Sequence, residues 1–522
     1  MIKNTKLFFY ILISFLISLS IFSCNKKSSV KKDYLIVAFE SAPITMDPRL
    51  ATDVQSSRLT ELLFNGLVKF DKNLRIVPDL CKNWEMINDK TFRFYLREGV
   101  KFHSGEILTA DDVVYTFKTV MSENLKSPLR GAYDFLDHIE AVDSHTVDFY
   151  LSYPYAPFLT AMTLGIVPKR YAEKVGEKFG EMPSGTGPFV FDSMKREREI
   201  KLKANPDYFE EGTPKIDGII VKIIRDESVR ALQMENGDIN FCENAFSPDT
   251  LERFRRNKNL IVLKDKGTDY YYLGINMRDP ILRNLAVRRA IAYGIDRSSI
   301  IKNFEKNNVI IAKGLLPKDH WAYEDDVNVY EYNPLLAKKL LDEAGFTDPD
   351  GDGPKMRFNL TYKTTFEERS RKFAEIFQEQ MRKIGIGINI KMYEWATFYN
   401  DIKEGNFQLF RLKWVGVTDP DHYYEIFNSK RIPPVGKNRG FYSNPEIDRL
   451  TEEGRRTFDL KKRKTIYSKI QKIVAKELPY ISLWHGMNNA VLTKNVKGFL
   501  LFPRGEFESL KNVYFVKEKN FN

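Results

Sequence analysis

Apolar and polar residues recur along the chain with two different periods, which predict both strands and helices. Residues 34–39 form a short run of strand-forming apolar residues. Residues 91–96 alternate in part between apolar and polar side chains, which is typical of a half-buried strand. Residues 56–67 instead place three leucines, spaced four apart, on one face of a predicted helix.

Two further helices are predicted from the residues that mark their starts. Thr109 is followed three residues later by Asp112, which is a capping-box pattern. Asn333 precedes Pro334, the order expected for a cap and the first turn, and Gly345 is placed to end the same helix. Because strand and helix patterns are mixed along the whole chain, the fold class is α/β or α+β with several lobes.

The first 23 residues have the pattern of an export signal. Two lysines give a positive start, residues 7–22 are apolar apart from Ser and Tyr, and the small Ser23 precedes Cys24. A cysteine in this position resembles a bacterial lipobox, which implies cleavage before Cys24 and attachment of a diacylglycerol and an N-acyl chain such as palmitate. Residues 24–32 then form a polar, lipidated tether. The alternatives are a plain secretory signal with an incidental cysteine and an uncleaved anchor.

Composition and charge narrow the class of protein. The 522 residues, 43% hydrophobic and 29% charged, suggest about three to four domain-sized units of an ordinary globular protein. A mean hydropathy of -0.39 excludes a polytopic membrane protein. The net charge of +11 comes from basic residues dispersed among acids. We therefore expect a solvated basic surface and no nucleic-acid partner.

Three cysteines are too few for a disulfide scaffold. With Cys24 assigned to the lipid anchor, Cys81 and Cys242 remain. An exported chain sits in an oxidising compartment, where these two could pair. Two buried free thiols are an equally good interpretation, so the sequence leaves both open.

Several short motifs follow one another in a fixed order along the chain. They are FRFYLR from Phe92, GVKFHSG from Gly99, LTADDV from Leu108, GTGPF from Gly185, NPDY from Asn205, YLGIN from Tyr272, GID from Gly294, GLLP from Gly314 and WVG from Trp414. Together they resemble the family 5 extracellular solute-binding proteins of ABC transporters, which include oligopeptide, dipeptide and nickel binders. The resemblance covers about residues 34–515.

This resemblance implies an α/β fold of the periplasmic-binding-protein type II kind, in which two lobes joined by crossing segments close over a ligand. The divisions that it implies are 33–58, 180–272 and 488–522 for lobe I, 59–179 for an inserted subdomain, and 273–487 for lobe II. The hinge is expected near residues 271–276 and 482–489.

The resemblance also implies where a ligand binds. In peptide binders of this family an acid three residues after a tryptophan binds the peptide α-ammonium; the tryptophan resembles Trp414, but the third residue after it is Val417. Because an unpaired buried ammonium is costly, Asp419, on the same face of an extended segment, is expected to substitute. The alternative is that Asp419 and Pro420 only form a turn. Trp414 is expected to line the cleft, with a core aromatic as the alternative. Arg411 is expected to line the same pocket, where a guanidinium can clamp a carboxylate.

Three other features admit different ligands. Residues 348–353 resemble the start of a calcium loop, but position 12 is Asn359, and an Asp/Gly turn is the simpler interpretation. His422 is close to the sequence position at which the nickel binders carry a histidine. One imidazole does not define a metal site, however, and no metal is predicted. The tyrosines at 270–272 and 423–424 could stack on a sugar, although core packing is the favoured role.

No motif for catalysis is present, since the chain lacks a Gly-x-Ser-x-Gly elbow, a His-Glu-x-x-His pair and a P-loop. We therefore expect no enzyme and no cofactor. The expected function is a monomeric, lipid-anchored receptor of the cell envelope, periplasmic or extracytoplasmic, that captures a small solute, foremost a short peptide. It would deliver this solute to an ABC permease with its ATPase subunits. The alternatives are a surface or signalling lipoprotein and a binder of nickel chelate or oligosaccharide.

Overall fold

The computed structural model describes residues 33–516, so the predicted signal, Cys24 and the tether lie outside the described residues. The first elements are the strand β1 (Tyr34–Phe39) and the helix α1 (Val54–Leu63). The prediction of a strand at residues 34–39 is confirmed. β1 is buried along most of its length and lies inside a large sheet.

Helix α1 ends four residues before the predicted end. Its start is fixed by Asp53, whose side chain accepts a hydrogen bond from the Ser56 N–H at 2.9 Å. Its end is set by tertiary packing, because Phe64 is already extended and a Cβ added to Gly66 would lie 2.7 Å from the backbone of Thr163. The chain therefore leaves the helix so that this glycine can pass close to a neighbouring segment.

The next segment has the elements β2 (Val68–Phe70), β3 (Ile76–Pro78), β4 (Cys81–Asn88), β5 (Thr91–Leu96), α2 (Ala110–Met121), β6 (Leu136–Asp143), β7 (Thr146–Leu151), α3 (Phe158–Ala161) and α4 (Lys169–Val175). Four of the strands form a separate antiparallel sheet in the order β4-β5-β7-β6, and β2 and β3 form a small hairpin. The predicted strand at 91–96 is confirmed as β5. The predicted cap is confirmed as well, since the Thr109 N–H donates to the Asp112 carboxylate at 2.9 Å.

The chain then returns to the sheet of β1. It adds β8 (Phe189–Lys195), β9 (Glu199–Ala204), β10 (Gly218–Ile223), α5 (Glu227–Asn236), β11 (Phe241–Glu243) and α6 (Pro248–Arg255). β1 lies between β10 and β11 and is parallel to both, and β9 and β8 extend the sheet as antiparallel strands.

Two long strands carry the chain into the second half and back. β12 (Leu260–Ile275) and, much later, β17 (Tyr480–Thr493) pair with each other antiparallel. The register between them shifts between Lys266 and Tyr270, which marks an irregularity in the middle of both strands. On one side of it β17 pairs with β11, and on the other side β12 pairs with β16 (Leu409–Trp414).

The second half is built around the continuation of the same sheet, in which β15 (Ile386–Tyr393) and β14 (Phe358–Thr365) are followed by β16, β12 and β17. Its elements are α7 (Leu285–Gly294), α8 (Arg297–Asn303), β13 (Val309–Ile311), α9 (Pro334–Glu343), β14 (Phe358–Thr365), α10 (Glu368–Arg382), β15 (Ile386–Tyr393), α11 (Trp395–Glu404), β16 (Leu409–Trp414), α12 (His422–Phe427), α13 (Pro445–Arg456) and α14 (Leu460–Glu477). After β17, β18 (Val496–Lys497) and β19 (Tyr514–Phe515) form a short pair. The predicted start of α9 is confirmed, with Asn333 accepting from the Leu336 N–H.

Buried apolar side chains form separate clusters that follow this division. One cluster joins residues 35–64 with 167–241 and 490–513, a second lies within 67–166, and two more lie within 270–484. Each part therefore has its own core, and the strands β12 and β17 connect the first part to the last.

The two remaining cysteines are free thiols. Cys81 and Cys242 are both buried, and they belong to different apolar clusters. The interpretation as two free thiols is confirmed, and the pairing is wrong because the two side chains lie in different cores. Within residues 33–516, no helix combines the length and the apolar character needed to cross a membrane.

Candidate functional site

The predicted ligand-binding residues lie on β16 and on the loop after it, next to the irregular crossing of β12 and β17. β16 runs antiparallel to β12, so that Arg411 lies opposite Leu273 and Trp414 lies opposite Tyr270. The loop after β16 returns to the same crossing, where the Val417 N–H donates to the Thr268 carbonyl at 3.2 Å. The sheet thus brings these residues to the junction between the two halves of the molecule.

Arg411 is a half-buried cation without an acidic partner among the described residues. Its guanidinium lies 4.3 Å from the ring centre of Phe373, and 5.7 Å and 5.9 Å from those of Tyr271 and Trp484. The Nη1 atom is shielded from solvent and has no hydrogen-bond partner within residues 33–516. Aromatic rings hold the cation in place while part of its hydrogen-bonding fork stays unused. A carboxylate arriving from outside the chain would complete that fork.

Trp414 lies on the opposite face of β16 in a stack of aromatic rings. Its ring is nearly parallel to that of Tyr272 at 6.1 Å, and Tyr272 stacks on Tyr480 at 4.1 Å. The guanidinium of Arg439 lies 4.6 Å from the Trp414 ring and donates to the Tyr399 hydroxyl at 2.8 Å. Sequence reasoning missed Arg439 because a lone arginine in an irregular loop carries no pattern.

Three buried polar atoms of this stack lack a partner among the described residues. They are the indole N–H of Trp414 and the hydroxyls of Tyr272 and Tyr480. Burial raises the pKa of Tyr272 to about 12, so its hydroxyl remains a neutral donor at physiological pH. Buried polar groups in folded proteins are almost always hydrogen-bonded, so such a cluster indicates a place where water or a ligand supplies the missing partners.

Val417 does not present a side chain to a ligand. It is fully buried and packs in the same apolar cluster as Trp414 and Tyr423. Its contribution is the backbone hydrogen bond to Thr268, which ties the loop after β16 to the strand β12.

Asp419, the expected substitute acid, is already neutralised within the chain. Its two oxygens accept from the two terminal nitrogens of Arg463 at 2.7 Å and 3.0 Å; the Arg463 side chain is buried, and that of Asp419 is 13% exposed. Burial raises the pKa of Asp419, but the Arg463 guanidinium outweighs this effect and holds the pKa below its usual range. The Asp419 carboxylate therefore anchors its own loop to α14, and this pairing disfavours its expected role as the acid that replaces position 417.

A second ion pair holds the same loop against the inserted segment. Asp421 lies 3.3 Å from Arg455 on α13 and accepts from the Tyr155 hydroxyl at 3.3 Å. The Ala156 N–H donates to the Arg455 carbonyl at 2.7 Å. Burial raises the pKa of Asp421 to about 7, and the charge of Asp419 adds to this shift. The loop after β16 is thus fixed from two sides.

A partly exposed acid beside the loop after β16 is Asp269, which sequence reasoning missed. It lies in the irregular stretch of β12, and its side chain is 25% exposed. One oxygen accepts from the Lys413 ammonium at 2.6 Å and the other from the Gly416 N–H at 3.4 Å. Because position 269 lies 148 residues before 417 in sequence, only the sheet pairing of β12 with β16 brings the two together.

The other sequence candidates have structural roles. In residues 348–353 the Asp348 carboxylate accepts backbone N–H groups of its own turn and Asp352 pairs with Lys338, so the Asp/Gly turn is the arrangement observed. The ring of His422 contacts the Asp419 carbonyl at 3.2 Å. Tyr423 is buried in the core. Across residues 33–516, no set of three or more His, Cys, Asp or Glu side chains is arranged to hold a metal ion.

Comparison with known proteins identifies the family. The family model for bacterial extracellular solute-binding proteins, family 5, matches residues 75–433. The chain is 31% identical over 521 residues to the oligopeptide-binding protein AppA of Bacillus subtilis, covering 95% of this chain and 94% of the relative.

Solved structures of this kind have the same fold. The AppA structure with a bound nonapeptide matches with a TM-score of 0.79 and 29% identity, covering 93% of this chain and all of that one. NikZ from Campylobacter jejuni, solved with Ni(L-His), matches with a TM-score of 0.80 and 27% identity over the same shares. The mixed α/β fold is therefore the periplasmic-binding-protein type that the motifs implied. The chain belongs to the bacterial extracellular solute-binding proteins of family 5.

Proposed function

We propose that this protein captures a short peptide at the junction between its two halves and delivers it to an ABC permease that works with ATPase subunits. Support comes from the family, from the oligopeptide-binding relative and from the structural neighbour that holds a nonapeptide. The observation in this chain that carries the proposal is Arg411, a half-buried guanidinium in an aromatic setting with an unused hydrogen-bonding atom. Its partner is the C-terminal carboxylate of the peptide.

The partner of the peptide α-ammonium is Asp269. With Val417 apolar and Asp419 bound to Arg463, Asp269 is the partly exposed acid beside the same loop. Lys413, which pairs with it, is 43% exposed and free to turn towards water when an ammonium takes its place. Arg411 and Asp269 then recognise the two ends of the ligand by opposite charges.

Capture involves closure of two lobes around the crossing of β12 and β17. The lobes are residues 33–58, 180–272 and 488–522 on one side and 273–487 on the other, with 59–179 as the inserted subdomain. Separate apolar cores and the register shift in the crossing strands favour this division. The ligand stabilises the closed form because it contacts both lobes.

The anchor of the receptor is Cys24. A lipobox-like sequence favours cleavage before this cysteine and its acylation, which would hold a monomeric receptor at the outer face of the membrane, periplasmic or extracytoplasmic. Labelling with a palmitate analogue tests this step, with Cys24→Ala as the control. Equal labelling of both proteins would rule the anchor out. We propose no catalytic role for the receptor.

The peptide proposal is tested by calorimetric titration with one peptide in three forms: free at both ends, acetylated, and amidated at the C-terminus. The free peptide should bind best, and Asp269→Asn should remove the advantage of the free amine. Asp207→Asn is the matched control, because it neutralises an exposed acid that is likewise paired with a lysine, Lys101. If Asp269→Asn kept the preference for a free amine, our assignment of the ammonium site would be wrong. If the protein bound Ni(L-His) and no form of the peptide, its ligand would be a metal chelate and not a peptide.

A further inference from the structure

The inserted segment, residues 59–179, meets the second half of the molecule at the end of α13. The Ala156 N–H donates to the Arg455 carbonyl at 2.7 Å, and the Tyr155 hydroxyl donates to Asp421 at 3.3 Å. Among the residues that the structure describes, these are the two hydrogen bonds between the inserted segment and the second half. The guanidinium of Arg455 also lies 5.1 Å from the ring centre of Tyr155. The polar contact therefore joins one short stretch on each side.

An aromatic ring from the second half packs on the core of the inserted segment at the same place. Phe458, in the turn between α13 and α14, contacts the apolar cluster within residues 67–166, and its ring centre lies 5.9 Å from that of Phe92 on β5. Phe92 is 4% exposed, so its ring belongs to the interior of that core. The second half thus contributes an apolar side chain to a core that another part of the chain builds.

The inserted segment is joined to the first half by a different set of contacts. The His103 N–H donates to the Gly185 carbonyl at 2.8 Å, and the Gly185 N–H donates back to the His103 ring at 3.2 Å. The Thr186 hydroxyl donates to the Asn65 side chain at 3.1 Å, and both residues are buried. A hinge motion at the crossing of β12 and β17 would therefore carry the inserted segment with the first half and draw it away from Phe458.

We propose that the contacts of Phe458, Arg455 and Asp421 with the inserted segment form a latch that holds the molecule closed before a ligand arrives. This inference rests on the two-lobe closure of the proposed function. The latch stabilises the closed form by itself, so part of the ligand-free protein already has the arrangement that binds the ligand. The apparent affinity for every peptide rises with that closed fraction.

The latch acts on the loop that carries the proposed peptide site. Asp421 ends the loop after β16 and lies 3.3 Å from Arg455. The same loop is bonded to β12 through the Val417 N–H. None of the latch residues is among the proposed ligand partners, Arg411 and Asp269. Loss of the latch should therefore weaken all peptides by the same factor, whereas loss of a ligand partner changes the preference between peptide forms.

Small-angle X-ray scattering of the ligand-free protein tests the latch without a peptide. Phe458→Ala should have a larger radius of gyration than the wild type, because loss of an aromatic contact lowers the ratio of closed to open protein about tenfold. The matched control is Phe209→Ala, which removes a ring that packs on the same core from the first half and should leave the radius unchanged. If Phe458→Ala does not fold, Tyr155→Phe, which removes only the hydroxyl bonded to Asp421, serves the same purpose.

Calorimetric titration then measures the consequence for binding. In Phe458→Ala, the Kd values of the free, acetylated and amidated peptides should rise by one common factor of up to about tenfold. A saturating concentration of the free peptide should return the radius of gyration of the variant to that of the wild type. Both results together would support a latch that acts on closure and not on ligand contacts.

Three results would overturn the latch. They are equal radii of ligand-free wild type and Phe458→Ala, an equal increase of the radius in Phe209→Ala, and a change in Kd that differs between the three peptide forms. If the wild type bound no peptide, the proposed function would fail. The comparison of radii without ligand would still decide whether the latch exists, so the two failures are distinguishable.

Discussion

Replacing Arg411 by methionine should weaken peptide binding strongly and leave the stability of the fold almost unchanged. Loss of a hydrogen bond between the guanidinium and a ligand carboxylate costs about 1.5–3 kcal/mol, which raises Kd roughly 10- to 150-fold. Methionine keeps the apolar contact with Phe373, which lies 4.3 Å from the guanidinium. Loss of the cation–π contacts, about 0.5–1 kcal/mol each, is offset by removal of a buried unpaired N–H, which costs about 1–3 kcal/mol.

The two effects are separated by two measurements on the same variant. Calorimetric titration with a peptide and with its C-terminal amide gives the affinity, and urea unfolding gives the free energy of unfolding. The wild type should prefer the free acid, and Arg411→Met should bind both forms alike. Arg371→Met, at an exposed arginine of α10 paired with Glu375, is the control. A variant that loses more than about 2 kcal/mol of stability with unchanged affinity would show that Arg411 is structural, and our reasoning would be refuted.

Three further predictions follow from buried groups near the site and in the cores. Burial raises the pKa of Asp421 from 3.8 to about 7. Ionisation of this buried carboxyl group therefore lowers the free energy of unfolding as pH rises from about 4 to 7, by at most about 4 kcal/mol, and the loss is reversed as pH falls. Urea unfolding across this range should show a weaker pH dependence in Asp421→Asn. Arg463→Met leaves the buried Asp419 unpaired, so it should cost about 3–5 kcal/mol in urea unfolding, and adding Asp419→Asn should restore most of it. Burial raises the pKa of Cys81 and Cys242 to about 12, so a thiol reagent at pH 8 should label neither until the protein is unfolded, and rapid labelling of the native form would contradict their placement.

Local sequence signals predicted the elements whose ends are set locally. The strands at 34–39 and 91–96 and the helix starts at Thr109 and Asn333 depend on neighbouring residues and were found correctly. The end of α1 was not predicted correctly, because it depends on the approach of Gly66 to Thr163, almost one hundred residues away in sequence. A periodic pattern continues through such a point, and only the tertiary contact shows that the helix has stopped.

The same limit applies to the site. The motif around Trp414 located β16, and with it Arg411, because the two residues lie only three positions apart in the sequence. The charges that decide what the loop after β16 can bind come from other elements: Arg463 from α14 and Asp269 from β12. From the sequence, Asp419 was the nearest acid to Val417 along the chain. In the fold the Asp419 carboxylate is already paired with Arg463. The partly exposed acid next to the loop is Asp269, which the pairing of β12 with β16 brings there.

If Asp269 binds the peptide ammonium in place of an acid at position 417, a different part of the molecule meets the peptide amine first. An acid on the loop after β16 belongs to the second half of the molecule and would move with that half in the proposed closure. Asp269 belongs to β12, a strand that both halves share, and it stays partly exposed beside the crossing. In the proposed mechanism the ammonium meets this strand before closure, whereas the guanidinium of Arg411 is enclosed by aromatic rings. Charge at Asp269 should therefore act mainly on association, and the contact at Arg411 mainly on how long the closed complex persists.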